Sequence, residues 1–262
     1  MKICIVVVNH SGGPSDFSRI VEVFTQDACR VRQLTDQPEY IGTTAANLRK
    51  ALGTITTEFR TLYRIASKGR SWILGFITTA KFLVLNLFAL FKAPARFARQ
   101  KWIERVLYEK HLAALELATE FHEGPTLVLE ADARITDEMV GALRESIEFL
   151  FAKRREAFVA FLAEGYSLTQ LKVSLLSGSM DLGGSGFCET KPATSNTTCA
   201  YLVSNSGAAE ILRFLRESKA SSAADWSLAH ALQETNVVAL HALPPLILHG
   251  SIRDGLSTVR IE

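Results

Sequence analysis

The chain has 262 residues, 48% hydrophobic and 21% charged, which suffices for a substantial core and excludes a disordered or low-complexity protein. Its net charge of +2 points to no class of partner. The four scattered cysteines (Cys4, Cys29, Cys188, Cys199), with no C-x-x-C pair, read as reduced thiols in a reducing compartment and exclude a disulfide framework.

The first element is Ile3 to Val8, an apolar run too short for a signal peptide and read as a central strand. It stops at Asn9-His10-Ser11-Gly12-Gly13-Pro14-Ser15. A loop of turn formers at a strand's carboxyl end lets backbone N–H groups approach a nucleotide or phosphate; it is equally compatible with a plain strand-to-helix turn. No P-loop or dinucleotide fingerprint is present. Phe17 to Phe24 is predicted helical with Ser15 or Asp16 as cap, Ala28 to Leu34 a strand, and Asn47 to Leu52 a short helix.

Residues 60–105 differ in kind. They hold ten Lys or Arg and a single acid, Glu104, so this segment carries +9 and the rest of the chain −7. Inside it, Ser71 to Phe91 is almost wholly apolar, interrupted by Lys81 and Asn86. The length is marginal for a membrane span, and Lys81 at its centre would cost on the order of 3 kcal/mol or more at mid-bilayer. A basic helix or helical hairpin lying in the headgroup region fits better; a buried helix with a basic rim, or a protein-docking surface, is the plainer alternative. Nucleic-acid binding is not expected, because phosphate-tracking surfaces are more polar.

Trp102 to Phe121 continues as a long helix with Leu107, Leu112, Leu115 and Ala118 as its apolar stripe, and His111 within it reads as a hydrogen-bonding residue. The stretch around which the rest is arranged follows: Thr126-Leu127-Val128-Leu129-Glu130-Ala131-Asp132-Ala133, a buried strand running into two carboxylates one residue apart. At a strand end Glu130 and Asp132 can present two oxygens to one hard divalent ion, or simply open a polar loop. A helix is predicted from Thr136 and Asp137 through Lys153, a strand at Lys172 to Leu176, and a long Gly/Ser/Thr-rich loop, a candidate lid, from Gly178 to Asn196. Thr197 to Ser204 reads as a strand, Ala208 to Glu217 as a helix, and Val237 to Leu240 as a strand. Asp225 falls at a helix start, as a cap or as a general base held by the helix end, with Glu189 a rival for the base. After Pro244-Pro245, His249 is a candidate third metal ligand or phosphate contact.

Taken in order, these blocks resemble glycosyltransferase family 25, the lipopolysaccharide/lipooligosaccharide-type transferases. The residues that carry the likeness are Lys110-His111-Leu112, Leu129-Glu130-Ala131-Asp132-Ala133, Thr198-Cys199-Ala200-Tyr201-Leu202-Val203-Ser204-Asn205-Ser206-Gly207-Ala208, Asp225-Trp226, and Pro244-Pro245 with Ser251 and Ser257. The match covers about residues 1–10 and 105–260. The chain departs from the family pattern at Ala131, where the middle acid of Glu-Asp-Asp stands, and at Lys110, where the family has Ser. Residues 60–105 have no counterpart in the family pattern.

The resemblance implies one α/β domain over residues 1–262, GT-A-like, with a mixed sheet flanked by helices; residues 60–105 are a helical insertion within it, whose charge and hydropathy point to membrane association. It implies transfer from a nucleotide-sugar, a UDP-sugar, to a glycan or lipid-linked glycan acceptor in cell-surface polysaccharide synthesis, with inversion. Asn9, His10, Ser11 and Ser251 would contact the donor, Glu130, Asp132 and His249 would hold Mn²⁺ or Mg²⁺, and Asp225 would be the base. The protein would sit in the cytoplasm, peripheral on the inner face of the membrane. A catalytically inactive relative acting as a binding or assembly subunit, with Ala131 as the lesion, is the alternative.

Overall fold

A computed structural model of the chain describes residues 2–8, 24, 29–34, 45–67, 72–153, 156–165, 174–175, 186–218 and 223–250. The strands are β1 (Ile3–Val8), β2 (Cys29–Leu34), β3 (Thr126–Glu130), β4 (Ala133–Arg134), β5 (Phe158–Phe161), β6 (Ser174–Leu175), β7 (Gly186–Lys191), β8 (Ala200–Val203), β9 (Val238–Leu243) and β10 (Leu248–His249). The helices are α1 (Ala45–Ser67), α2 (Trp72–Lys92), α3 (Pro94–Glu120), α4 (Asp137–Lys153), α5 (Asn205–Ser218) and α6 (Ala224–Glu234).

Among the described residues, eight strands form one mixed sheet in the order β2-β1-β3-β8-β5-β9-β7-β6. β1 runs parallel to β2 and β3, and β5 runs parallel to β9; β8 lies antiparallel between β3 and β5. The carboxyl ends of β1, β3, β5 and β9 therefore share one edge, and the chain enters β8 at that same edge. The sheet is covered on both faces, which explains why β1 is a continuous apolar run and not an alternating one. Ile3, Ile5 and Val7 pack with Leu127, Leu129 and α4 (Leu143, Ile147, Leu150) on one side. Cys4, Val6 and Val8 pack with α3, α5 and α6 on the other. The expected α/β class with a mixed sheet between helices is what the chain adopts.

Sheet and helices are tied by the Ser204-Asn205-Ser206-Gly207 block. Ser204 Oγ accepts from the N–H groups of Phe158 (2.9 Å) and Gly207 (3.1 Å), joining β5 to the first turn of α5. Asn205 Nδ2 donates to the carbonyls of Ala118 (3.0 Å) and Thr119 (2.8 Å), which the end of α3 leaves without helical partners. A Cβ at Gly207 would lie 2.7 Å from the Phe158 carbonyl oxygen, so only glycine lets α5 start this close to the sheet.

Several expectations change. The short helix at 47–52 is the 23-residue α1. The helix expected from Trp102 begins at Pro94, whose fixed φ and missing N–H suit a first turn. The expected loop 178–196 contains β7, which pairs with β9 from Gly186↔Leu243 to Glu189↔Leu240, so at least that part is sheet and not lid. β5 was not foreseen. The predicted helix at Phe17–Phe24 lies outside the described residues except for Phe24, which is fully buried. The predicted strand at 172–176 is described only as Ser174–Leu175.

Residues 60–105 make up the second part of α1, all of α2 and the first part of α3. These helices share a small cluster of Ala51, Ile55 and Phe97, with Leu83 and Leu90 against it. Among the described residues no helix is long and apolar enough to cross a membrane.

Candidate functional site

The site lies where β1 and β3 end. The Glu130 N–H donates to the Cys199 carbonyl (2.8 Å) and the Ala131 N–H to the Val8 carbonyl (3.1 Å), so the acid-x-acid segment is held between β1 and the approach to β8. The chain then turns into β4, which pairs antiparallel with β10 in a two-stranded sheet of its own, His249 opposite Ala133. The Gly250 N–H donates to the Asp132 carbonyl at 2.9 Å, and a Cβ at Gly250 would sit 2.7 Å from that oxygen. Glycine is required for this approach, and the approach is what carries His249 to Asp132.

His249 Nδ1 lies 3.2 Å from Asp132 Oδ2, yet it has no aligned hydrogen-bond partner. Cys199 Sγ donates to Asp132 Oδ1 at 3.8 Å. One ligand atom each from Asp132, Cys199 and His249 lies within 4.8 Å of the others. Burial, reinforced by the charges of Asp132 and Glu130, pushes the Cys199 thiol well up, so it stands there as S–H and not thiolate.

Glu130 is handled differently. Its Oε1 accepts from Thr198 Oγ1 (2.6 Å) and faces His111 Nε2 (3.2 Å). A carboxylate only accepts, so His111 Nε2 carries the proton between them; His111 Nδ1 and the Tyr201 hydroxyl share a hydrogen bond at 3.1 Å. Burial, then the Glu130 charge, raises the Tyr201 pKa and keeps that phenol protonated. Tyr201 and His111 thus orient Glu130 from behind, as buried partners orient a ligand carboxylate. The sequence places a hydrogen-bonding role on His111, and it has one.

A cleft of about 470 Å³ opens over this layer, lined among others by Glu130, Thr198, His249, Glu104, Leu107 and Asp225. Asp225 sits in the first turn of α6, where its Oδ1 accepts from the Trp226 N–H at 2.9 Å. Its carboxyl is raised to about 6, by burial first and then by the charges of Glu130 and Glu104, against the Trp226 N–H that pulls it down. A carboxyl so placed changes protonation near neutrality, as a general base requires.

Of the residues singled out by sequence, Glu130, Asp225 and His249 line one cleft, and Asp132 meets His249 beneath it. Asn9, His10, Ser11 and Ser251 lie outside the described residues. Glu189 is on β7 opposite Leu240 and is not among the residues lining the cleft. Sequence reading did not single out Thr198, Cys199 or Tyr201 as partners of the acids, nor Glu104 as a cleft residue. Neither protein-family models nor characterised proteins yield a match for this chain.

Proposed function

We propose that the chain is a GT-A-type glycosyltransferase that moves a sugar from a nucleotide-sugar donor, a UDP-sugar, to a glycan acceptor in cell-surface polysaccharide synthesis, with inversion. The observation that carries this reading is the convergence of an acid-x-acid strand end, a histidine brought back by β10, and a helix-start carboxyl with a pKa near 6 on one cleft. The mixed sheet with antiparallel β8 between β3 and β5, and the small β4–β10 pair beside the acids, are compatible with a GT-A core.

Asp132 and His249 would hold Mn²⁺ or Mg²⁺. The fit rests on the approach of His249 Nδ1 to Asp132 Oδ2 at 3.2 Å with no aligned hydrogen bond between them, a spacing that one cation could bridge. A carboxylate and an imidazole as donors would suit Mn²⁺ better than the all-oxygen preference of Mg²⁺. The bound ion supplies neutralisation of the charge that develops on the leaving diphosphate. Glu130, fixed by Thr198 and by the Tyr201–His111 pair, shapes the floor of the cleft. Asp225 removes the proton from the acceptor hydroxyl, which attacks the anomeric carbon from the face opposite the diphosphate. A single base and one displacement give inversion. A lipid-linked acceptor is consistent with the neighbouring basic helices.

The test is UDP release from a panel of UDP-sugars with and without Mn²⁺. Mn²⁺-dependent turnover of one sugar, abolished by Asp132→Ala and by His249→Ala, supports the reading and names the donor. UDP binding without turnover of any sugar would leave a non-catalytic binding subunit. Absence of both in folded protein would overturn the proposal.

A further inference from the structure

We propose that the outer face of α2 docks the protein on an anionic lipid bilayer, lying in the headgroup layer without crossing it. The inner face of α2 is spent on the protein: Thr79 is buried, and Leu83 and Leu90 join the cluster with α1 and α3. The outer face carries Ile77, Val84, Leu85, Phe88 and Phe91, within about 120° of one another at 100° per residue. Val84 and Phe88 are each 64% exposed and Phe91 82%. A helix covered on its inner face whose outer face still carries large apolar side chains is expected to meet a second apolar medium, because contiguous large apolar side chains are rarely left to water.

Charge decides which medium. The same face carries Lys81 and Lys92, both exposed, and exposed Arg96 follows just beyond the α2–α3 corner. Lys92 Nζ lies over the Phe88 ring, 5.9 Å from its centroid, so cation and aromatic are presented together. The only acid of residues 60–105, Glu104, is turned away into the cleft wall, where it pairs with buried Lys101. A second copy of this chain would set lysine against lysine. A nucleic acid would leave the phenylalanines in water. An anionic bilayer accepts both parts: rings enter the acyl boundary while lysines stay at the phosphates. Each cation within reach of such a leaflet strengthens binding about fivefold.

Docking would also place the cleft. Phe82, on the inner side of α2, meets Trp226 edge-on with ring centroids 4.9 Å apart, and Trp226 follows Asp225. The cleft wall and the docking helix are therefore in contact. The proposal does not rest on the transferase reading, since lipid binding is measured without turnover.

The experiment is co-sedimentation of the full chain with vesicles of phosphatidylcholine alone or with about one-third phosphatidylglycerol, at about 0.1 M and about 1 M salt. Binding is expected to the anionic vesicles at low salt. Phe88→Glu/Phe91→Glu should weaken it at least tenfold. Lys81→Gln/Lys92→Gln, which leaves the apolar face intact, should weaken it on the order of tenfold or more on anionic vesicles, with little change on neutral ones. Unchanged circular dichroism and melting temperature would show that each variant is folded. Failure of the folded wild type to bind anionic vesicles would overturn the proposal, as would binding indifferent to both double variants. A wild-type dimer converted to monomer by Phe88→Glu/Phe91→Glu would assign the face to a second copy instead.

Discussion

The sheet and the α1–α2–α3 unit handle apolar side chains in opposite ways. Around the sheet, both faces of β1, β3, β5 and β8 are closed off by helices, and the apolar residues of those strands are buried almost completely. In the helical unit, three described apolar side chains form the buried nucleus while Phe76, Ile77, Val84, Leu85, Phe88 and Phe91 are exposed. The sheet is a finished core; the helical unit has a finished inner face only. The two regions meet at Glu104 and Trp226, so the helix whose outer face lacks a cover has its inner side against the cleft wall.

Perturbations should separate the two regions cleanly. The largest expected effect is on turnover: Asp225→Asn should lower kcat by about 10²–10⁴-fold without touching vesicle binding. With Asp225 as the proposed base, turnover should rise as pH climbs through about 6 and level off above it, and the variant should lose that limb. The sign for stability is opposite. The folded state holds this proton more tightly than the unfolded chain does, so the carboxyl's contribution falls between the ordinary carboxylate range and pH 6. Denaturant midpoints across that range check this, and Asp225→Asn should flatten the change.

Next in size is the buried ion pair that anchors the helical unit. Lys101 Nζ lies 2.7 Å from Glu58 Oε2 and 2.8 Å from Glu104 Oε2. Burial dominates the Glu58 carboxyl and raises it to about 7, even with Lys101 beside it. Lys101→Met should destabilise by about 3–5 kcal/mol by stranding Glu58, and adding Glu58→Gln should recover much of the loss. Denaturant unfolding of both variants measures this. In the sheet core, Leu143→Ala should cost about 2–5 kcal/mol by the same assay. The smallest effect belongs to the outer face of α2, where Phe88→Ala/Phe91→Ala should shift stability by no more than about 0.5 kcal/mol per site, since nothing in the protein is unpacked. A large loss there would show that this face is part of the core after all.

Most of the sheet was legible because buried strands read as unbroken apolar runs, as at Ile3–Val8 and Thr126–Leu129. β5 shows the limit: Ala157 to Ala163 is apolar throughout, and such a run has no period to separate strand from helix. The helix predicted over Asn47–Leu52 runs on through Gly53, Thr54, Thr56 and Thr57, all residues of low helix propensity. In the fold, the hydroxyls of Thr54, Thr56 and Thr57 each donate to the carbonyl four residues back, so the helix absorbs them. β7 was hidden behind a Gly/Ser-rich approach and takes its place by pairing with β9.

In the site, the acids and His249 were legible from their positions at strand and helix ends. The Thr198–Glu130–His111–Tyr201 chain was not, because it depends on the antiparallel register of β8 against β3, which no local pattern encodes. The Ser204-to-Gly207 block, prominent in sequence, serves to join β5, α3 and α5 and contributes nothing to the cleft lining.

The pairing of β4 with β10 has a temporal side. Residues 132 and 249 leave the ribosome far apart in time, and Asp132 is in place long before its imidazole partner is made. A nascent chain that has formed the β1–β3 half of the sheet has its acids but not His249, and any protein truncated just before Leu248 would remain at that stage. If the pair holds a divalent ion as proposed, affinity for that ion would appear only once β10 has been made and paired.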